Sequence, residues 1–304
     1  MNQLIDFLQQ HDIEYKAGEP MKAHTTFKIG GAADVMITVR SVDELRLATA
    51  ACRENNIPVM ILGKGSNLLV SDDGIEGAVI ALDGDFKEIT VDGDTITCGT
   101  GVSLSKLCTV ALENGLSGLE FAYGIPGTVG GAVYMNAGAY GGETKDVCFE
   151  ATYLSPDGKT GVCSAGELDF SYRHSIFKTN SNIILFAKYK LTPDSKDAIK
   201  ARMDDYMNRR RTKQPLEYPS AGSVFKRPKG AFAGTLIEQC GLKGKKVGGA
   251  QVSEKHAGFI INAGNATCDD VMNLVKLVQD TVRDETGYFL ECEIIRTGRQ
   301  RWNL

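Results

Sequence analysis

Residues 121–142 read FAYGIPGTVGGAVYMNAGAYGG, and the fold is decided by how this stretch is understood. From Gly124 to Gly142 seven of 19 residues are glycine, against 34 in the 304-residue chain, an enrichment of about threefold. Glycine at that density means backbone that turns tightly, takes positive φ or lies directly against something flat. A flexible linker is also rich in glycine, but it carries Ser, Pro and charge, whereas this stretch carries Ile125, Val129, Val133, Tyr134 and Met135. Apolar residues among glycines point to the wall of a buried ligand site; a close helix-to-sheet crossing that needs no ligand is the competing reading.

The chain around this stretch is long enough for about two domains and a sizeable core. Its composition, 42% hydrophobic and 24% charged with a net charge of −4, is that of a soluble globular protein. A weak acidic balance argues against nucleic-acid binding, which leaves a strongly basic footprint. No apolar run reaches the roughly 18 residues of a membrane span. At the N-terminus Leu4, Ile5 and Leu8 fall at helical spacing with Asp6 among them, which predicts an amphipathic helix and not a signal peptide. Eight cysteines without a C-x-x-C pair read as scattered reduced thiols of a cytosolic protein, and four dispersed histidines offer no metal site.

Upstream, a strand over 33–39, a helix over 42–55 capped by Ser41 and a short strand over 58–62 make a βαβ-like opening that runs into LGKGSNLLV. A Walker A loop needs glycine at position 58, which is Pro58, and a dinucleotide fingerprint needs glycine at 68, which is Leu68. Both fail. There remain Gly63, Lys64, Gly65, Ser66 and Asn67 between two apolar strands, either a nest of backbone N–H groups suited to a phosphate or pyrophosphate, or a plain tight turn.

From Gly77 the pattern is rich in strands: 78–82, 88–91 and 95–98, then, after a helix over 103–114, strands near 147–154 and 182–191. A helix over 195–211 ends in Arg209, Arg210 and Arg211, which complement the helix dipole and read as a solvated face. Pro215 and Pro219 mark a boundary. Beyond them come helices over 233–240 and 269–286, the second with a Thr267/Asp270 capping box and Gly287 at its end, and strands over 258–261 and 289–295. Three segments follow: 1–82, 83–212 and 213–304.

Three polar islands are candidates for chemistry. In SYRHSIFK, Arg173 precedes apolar Ile176 and Phe177, a setting for a charge that meets an anion or an ordinary salt bridge. In SAGSVFKRP, Ser223 follows Gly222, a hydroxyl presented from a tight turn, as many structural serines are. In LECEIIRTG, Glu293 alternates with Cys292 and Ile294, so its carboxylate is either partly buried with a raised pKa or outward facing.

Taken in order, GKGSN, GIPGTVGGAVYMNAG, YRHSIFK, SAGSVFKRP and ECEIIRTG, spread over some 230 residues, closely resemble the UDP-N-acetylenolpyruvoylglucosamine reductase family of flavoenzymes. The resemblance implies an α+β fold: a two-part FAD-binding module of the vanillyl-alcohol oxidase (PCMH) type and a C-terminal α/β substrate domain. It implies that Gly63, Lys64, Gly65, Ser66, Asn67 and Leu68 hold the FAD pyrophosphate, and that Gly124, Ile125, Pro126, Gly127, Thr128, Gly130 and Gly131 lie against the rest of the cofactor. The pyrophosphate loop has no histidine, so noncovalent FAD is expected.

The reaction implied is NADPH-dependent reduction of UDP-N-acetylglucosamine enolpyruvyl ether in peptidoglycan precursor synthesis, in the cytoplasm, with no obligate protein partner. Arg173 matches the arginine that holds the substrate carboxylate, Ser223 the proton donor and Glu293 the glutamate that helps stabilise the intermediate. Some members carry an inserted tyrosine-bearing loop over the UDP diphosphate. There is no room for it between Arg173 and Leu191, so this chain resembles the shorter subtype, and Lys226, Arg227 and Lys255 are its candidate diphosphate contacts. Another FAD-dependent oxidase or dehydrogenase, or a noncatalytic flavin or nucleotide-sugar binding module, would share the glycine loops without needing Arg173, Ser223 and Glu293.

Overall fold

A computed structural model describes residues 1–299, and the chain divides into two compact units. The first comprises residues 1–16, 36–63 and 77–210; the second comprises 17–35, 64–76 and 211 onward.

In the first unit, helix α1 (Asn2–Gln10) buries Leu4 and Leu8, as the spacing predicts. Helix α2 (Val42–Glu54) begins at Ser41, whose hydroxyl accepts from the Glu44 N–H. Strand Val59–Leu62 pairs in parallel with Ile75–Leu82, Val59 lying opposite Ala78. A five-stranded antiparallel sheet follows, in the order Thr160–Ser164, Cys148–Leu154, Ile183–Lys190, Thr95–Gly99, Ile89–Asp92. Helix α3 (Leu104–Glu113) is capped by Ser103 and stopped by Gly115 at φ +65°. With α4 (Val129–Met135) it closes a core that includes Ile96, Cys98, Leu107, Val129, Val133 and Tyr189.

The glycine-rich stretch therefore contains a short helix. Thr128 caps α4 by accepting from the Gly131 N–H, and Asn136 ends it in the left-handed conformation at φ +42°. Helix α5 (Lys196–Lys213) buries Ile199 and Met203. Its basic end departs from the expected solvated face. Arg209 is an exposed partner of Asp205, but Arg210 lies along Gly124, where an added Cβ would come within 3.0 Å of its Cδ. Burial lowers the Arg210 pKa.

In the second unit, Ser220–Ser223, Phe259–Asn262, Ala250–Val252 and Lys246–Val247 form an antiparallel sheet in that order, packed with α6 (Ala233–Gln239) and α7 (Cys268–Thr286). The apolar stripe of α7, Val271, Leu274, Val275, Val278 and Val282, is wholly buried. Its expected capping box is present: Asp270 N–H donates to Thr267 Oγ1 at 3.0 Å and Thr267 N–H donates to Asp270 Oδ2 at 3.1 Å, while Gly287 closes the helix at φ +75°.

The expected strand over 289–295 does not form as one element. Leu290 and Ile294 are buried, so the alternation is real, but the backbone passes between partners: Cys292 bridges to Phe225, and only Ile295–Thr297 pairs, in parallel, with Leu68–Val70. Glu293 stands at the changeover.

Candidate active site

In the second unit three segments far apart in sequence meet around Glu293. Its N–H donates to Val224 O at 2.7 Å, and its carbonyl accepts from Asn67 Nδ2 at 3.2 Å. The Asn67 carbonyl in turn accepts from Ile295 N–H at 2.8 Å. The end of the GKGSN loop, the residue after Ser223 and the main chain of Glu293 are thus tied by hydrogen bonds. Ser223 itself is aimed by a bulge: Ser220 lies opposite Ile261 and Ser223 opposite Phe259, one residue too many on the serine strand, and Gly222 absorbs the excess at φ +78°. The half-buried Ser223 hydroxyl contacts Phe225 O at 3.4 Å.

His256, to which the sequence drew no attention, stands close by. Its Nδ1 accepts from Gly258 N–H at 3.1 Å, and a Cβ at Gly258 would lie 3.1 Å from His256 Cε1 and 3.5 Å from Ser223 Oγ. Burial lowers the His256 pKa, which keeps the imidazole neutral.

Gly65 needs no ligand to explain it. At φ +57° it carries a conformation that favours glycine, and a Cβ there would sit 2.3 Å from His24 O. The candidate diphosphate contacts are engaged within the protein: Lys226 pairs with Glu291, Lys255 Nζ donates to Arg211 O at 2.8 Å and faces Glu217 at 3.4 Å, and Arg227 lies 4.0 Å over the Phe232 ring.

In the first unit the seven glycines of residues 124–142 separate by cause. A Cβ at Gly130 would meet Thr100 Cβ at 2.9 Å, and one at Gly138 or Gly142 would come within 2.7 Å of its neighbours; Gly141 is held at φ +91°. For these, with Gly124 against Arg210, close packing or conformation is cause enough. Gly127 and Gly131 differ. Both lack positive φ, and a Cβ would meet protein atoms no closer than 3.5 Å and 3.6 Å respectively. Nothing in the protein excludes a side chain at either position. Gly63 falls with the packed glycines, since a Cβ on it would lie 2.6 Å from Thr128 Oγ1.

Arg173 sits in a two-residue turn closed by Ser171 N–H to His174 O at 3.2 Å and His174 N–H to Ser171 O at 3.1 Å. Its φ of +56° is strained for a non-glycine residue. The guanidinium carbon lies 5.0 Å over the Tyr172 ring, and Lys178 Nζ donates to the Arg173 carbonyl at 3.2 Å. Among the described residues no group of three or more His, Cys, Asp or Glu side chains is placed to hold a metal, and no helix is long and apolar enough to cross a membrane.

Comparison with known proteins accounts for both halves. Residues 33–164 match the FAD binding domain model, and residues 214–297 match the model of the UDP-N-acetylenolpyruvoylglucosamine reductase C-terminal domain. The chain is 48% identical over 299 residues to the UDP-N-acetylenolpyruvoylglucosamine reductase of Syntrophomonas wolfei subsp. wolfei, covering 98% of this chain and 99% of that protein. It is 47% identical to that of Clostridium novyi over 95% and 94% of the two chains. The crystal structure of the Thermus caldophilus enzyme superposes with a TM-score of 0.81 at 38% identity, over 94% of this chain and 98% of the other. The fold is accordingly α+β with an FAD-binding module of the PCMH type, and the chain belongs to the UDP-N-acetylenolpyruvoylglucosamine reductase family.

Proposed function

We propose that this protein reduces UDP-N-acetylglucosamine enolpyruvyl ether to UDP-N-acetylmuramate at the expense of NADPH, through noncovalent FAD, as a cytoplasmic step of peptidoglycan precursor synthesis. The observation that carries the proposal is the extent of the likeness: it spans nearly the whole chain and includes the FAD-binding and the C-terminal domain together. Segments 1–82 and 83–212 would form the cofactor module and 213–304 the substrate domain.

The residues present fit the cofactor. Gly127 and Gly131 offer bare backbone that protein packing does not demand, and Gly63 is assigned to the cofactor beside them. Lys64, Gly65, Ser66, Asn67 and Leu68 are assigned to the pyrophosphate, and Gly124, Ile125, Pro126, Thr128 and Gly130 to the same wall as Gly127 and Gly131. Bound FAD would supply the hydride-transfer chemistry between NADPH and the enolpyruvyl group.

The chain's own side chains then handle charge and proton. Arg173 holds the substrate carboxylate and stabilises the negative charge that develops beside it, a role open to a guanidinium because it stays charged and cannot be the acid. Glu293 shares that stabilisation. The Ser223 hydroxyl delivers the proton to the carbon next to the carboxylate, which requires hydrogen-bond reach and a strongly basic acceptor. Lys226, Arg227 and Lys255 are assigned to the diphosphate; Lys226 and Lys255 would exchange their carboxylate partners for it.

Anaerobic flavin absorbance tests the whole assignment. NADPH should bleach the purified protein, and the enolpyruvyl sugar nucleotide should restore the colour. Bleaching that only dioxygen reverses would instead identify an oxidase, and full turnover after substitution of Arg173, Ser223 and Glu293 would reduce the flavin to a structural role.

A further inference from the structure

The turn that carries Arg173 is anchored on both sides by the last turn of α4. Asn136 is fully buried, and its amide is spent entirely on this region: Nδ2 donates to Ser171 O at 2.9 Å and to Glu143 Oε2 at 3.0 Å, and Oδ1 accepts from Lys145 N–H at 2.9 Å. On the other side Ser175, also fully buried, donates its hydroxyl to Tyr134 O at 2.8 Å. Between these anchors lies Arg173 at φ +56°. Such a conformation is strained for a non-glycine residue and persists only when its surroundings over-determine it.

Asn136 is more than a helix terminator. At φ +42° glycine would end α4 equally well, but glycine could not reach Ser171, Glu143 and Lys145. Aspartate could accept from Lys145 N–H, but it would lose the bond to Ser171 O and set a second carboxylate against Glu143. Glu143 is ion-paired with Lys145 at 2.8 Å. Its pKa is lowered first by the Lys145 hydrogen bond, against desolvation, and also by Asn136 and by the charge of Arg173. An ionised carboxylate thus lies within electrostatic range of the guanidinium and is itself held by Asn136.

We propose that Asn136 is a positioning residue for Arg173: it fixes the strained turn at Ser171 and the orienting carboxylate of Glu143, and so aims the guanidinium at the substrate carboxylate. The proposal rests on the reading of Arg173 given above. Its effect falls on the half-reaction that uses the enolpyruvyl substrate and not on flavin reduction by NADPH.

The test uses holoenzyme in anaerobic rapid-mixing experiments. Asn136→Gly keeps the left-handed conformation and removes the amide. It should stay folded and retain flavin at a lowered melting temperature, reduce normally with NADPH, and reoxidise 10- to 100-fold more slowly with the enolpyruvyl sugar nucleotide, the scale of loss for a catalytic group displaced by about 1 Å. Arg173→Lys and the double variant are measured beside it. If Asn136 acts through Arg173, the double variant reoxidises no more slowly than Arg173→Lys alone.

If Arg173→Lys reoxidises at the wild-type rate, the reading of Arg173 falls and the positioning role with it. A slow Arg173→Lys beside a folded Asn136→Gly of wild-type rate overturns the positioning role alone, as does a double variant whose losses multiply. Should Asn136→Gly lose its flavin or fold, Ser175→Ala, which removes the other anchor, is judged by the same two rates.

Discussion

The side-chain amide of Asn67 donates to the main-chain carbonyl of Glu293 at 3.2 Å, across 226 positions of sequence. The loop assigned to the pyrophosphate and the residue assigned to the intermediate are therefore held by one bond. Asn67→Ala removes it and leaves a half-buried carbonyl short of a partner, at a cost of about 1 kcal/mol. Urea unfolding of the protein should register that loss. Slower reoxidation by the enolpyruvyl substrate should accompany it if the main chain at Glu293 shifts.

Ser223→Ala separates the two half-reactions. Flavin reduction by NADPH should be unchanged, while reoxidation by the enolpyruvyl sugar nucleotide should slow by about 10²- to 10⁴-fold, the usual contribution of a positioned acid. An unaltered reoxidation rate would remove Ser223 from the mechanism.

Two adjacent glycines of α4 should respond in opposite ways. At Gly130 an added methyl meets Thr100 Cβ at 2.9 Å, so Gly130→Ala should destabilise the protein by about 1–3 kcal/mol. At Gly131 the nearest atom stands 3.6 Å away, and alanine in a helix gains about 0.5–1 kcal/mol over glycine. Gly131→Ala should therefore keep or raise stability in flavin-free protein and weaken FAD binding. Denaturation of flavin-free protein and fluorescence titration with FAD read the two effects separately; tight FAD binding by Gly131→Ala would place the cofactor elsewhere.

Glu120 makes acid stability a local matter in the first unit. Only 7% exposed, it accepts from Ser117 Oγ at 2.9 Å and Gly118 N–H at 2.8 Å, and it pairs with Arg202 at 2.8 Å. Desolvation pushes its pKa up, but main-chain hydrogen bonds together with Arg202 and Ser117 outweigh it, and the value lies below normal. A depressed folded pKa contributes stability that is present above the ordinary value near 4.3 and is lost as pH falls through the folded value. Glu120→Gln should flatten the acid limb of unfolding free energy between about pH 5 and 3. Arg202→Met, which leaves the carboxylate without its cation, should cost about 2 kcal/mol at pH 7. Identical acid limbs in wild type and Glu120→Gln would disprove the assignment.

Much of this protein was decided by local sequence. Periodicity and capping residues set α2, α3 and α7 within a residue or two, because an apolar stripe bounded by Ser, Thr or Gly has few other ways to bury itself. The order of five short motifs likewise announced the family and its flavin. What sequence could not settle was every relation carried by long-range hydrogen bonds. The alternation around Glu293 looked like one strand, but its carbonyl and N–H groups serve two different partners. Arg210 looked solvated until α5 laid it along Gly124. The role of Asn136 lies in a bond to Ser171 35 residues away. Main-chain donors and acceptors are the same at every residue, so only the folded arrangement of the chain determines which of them meet.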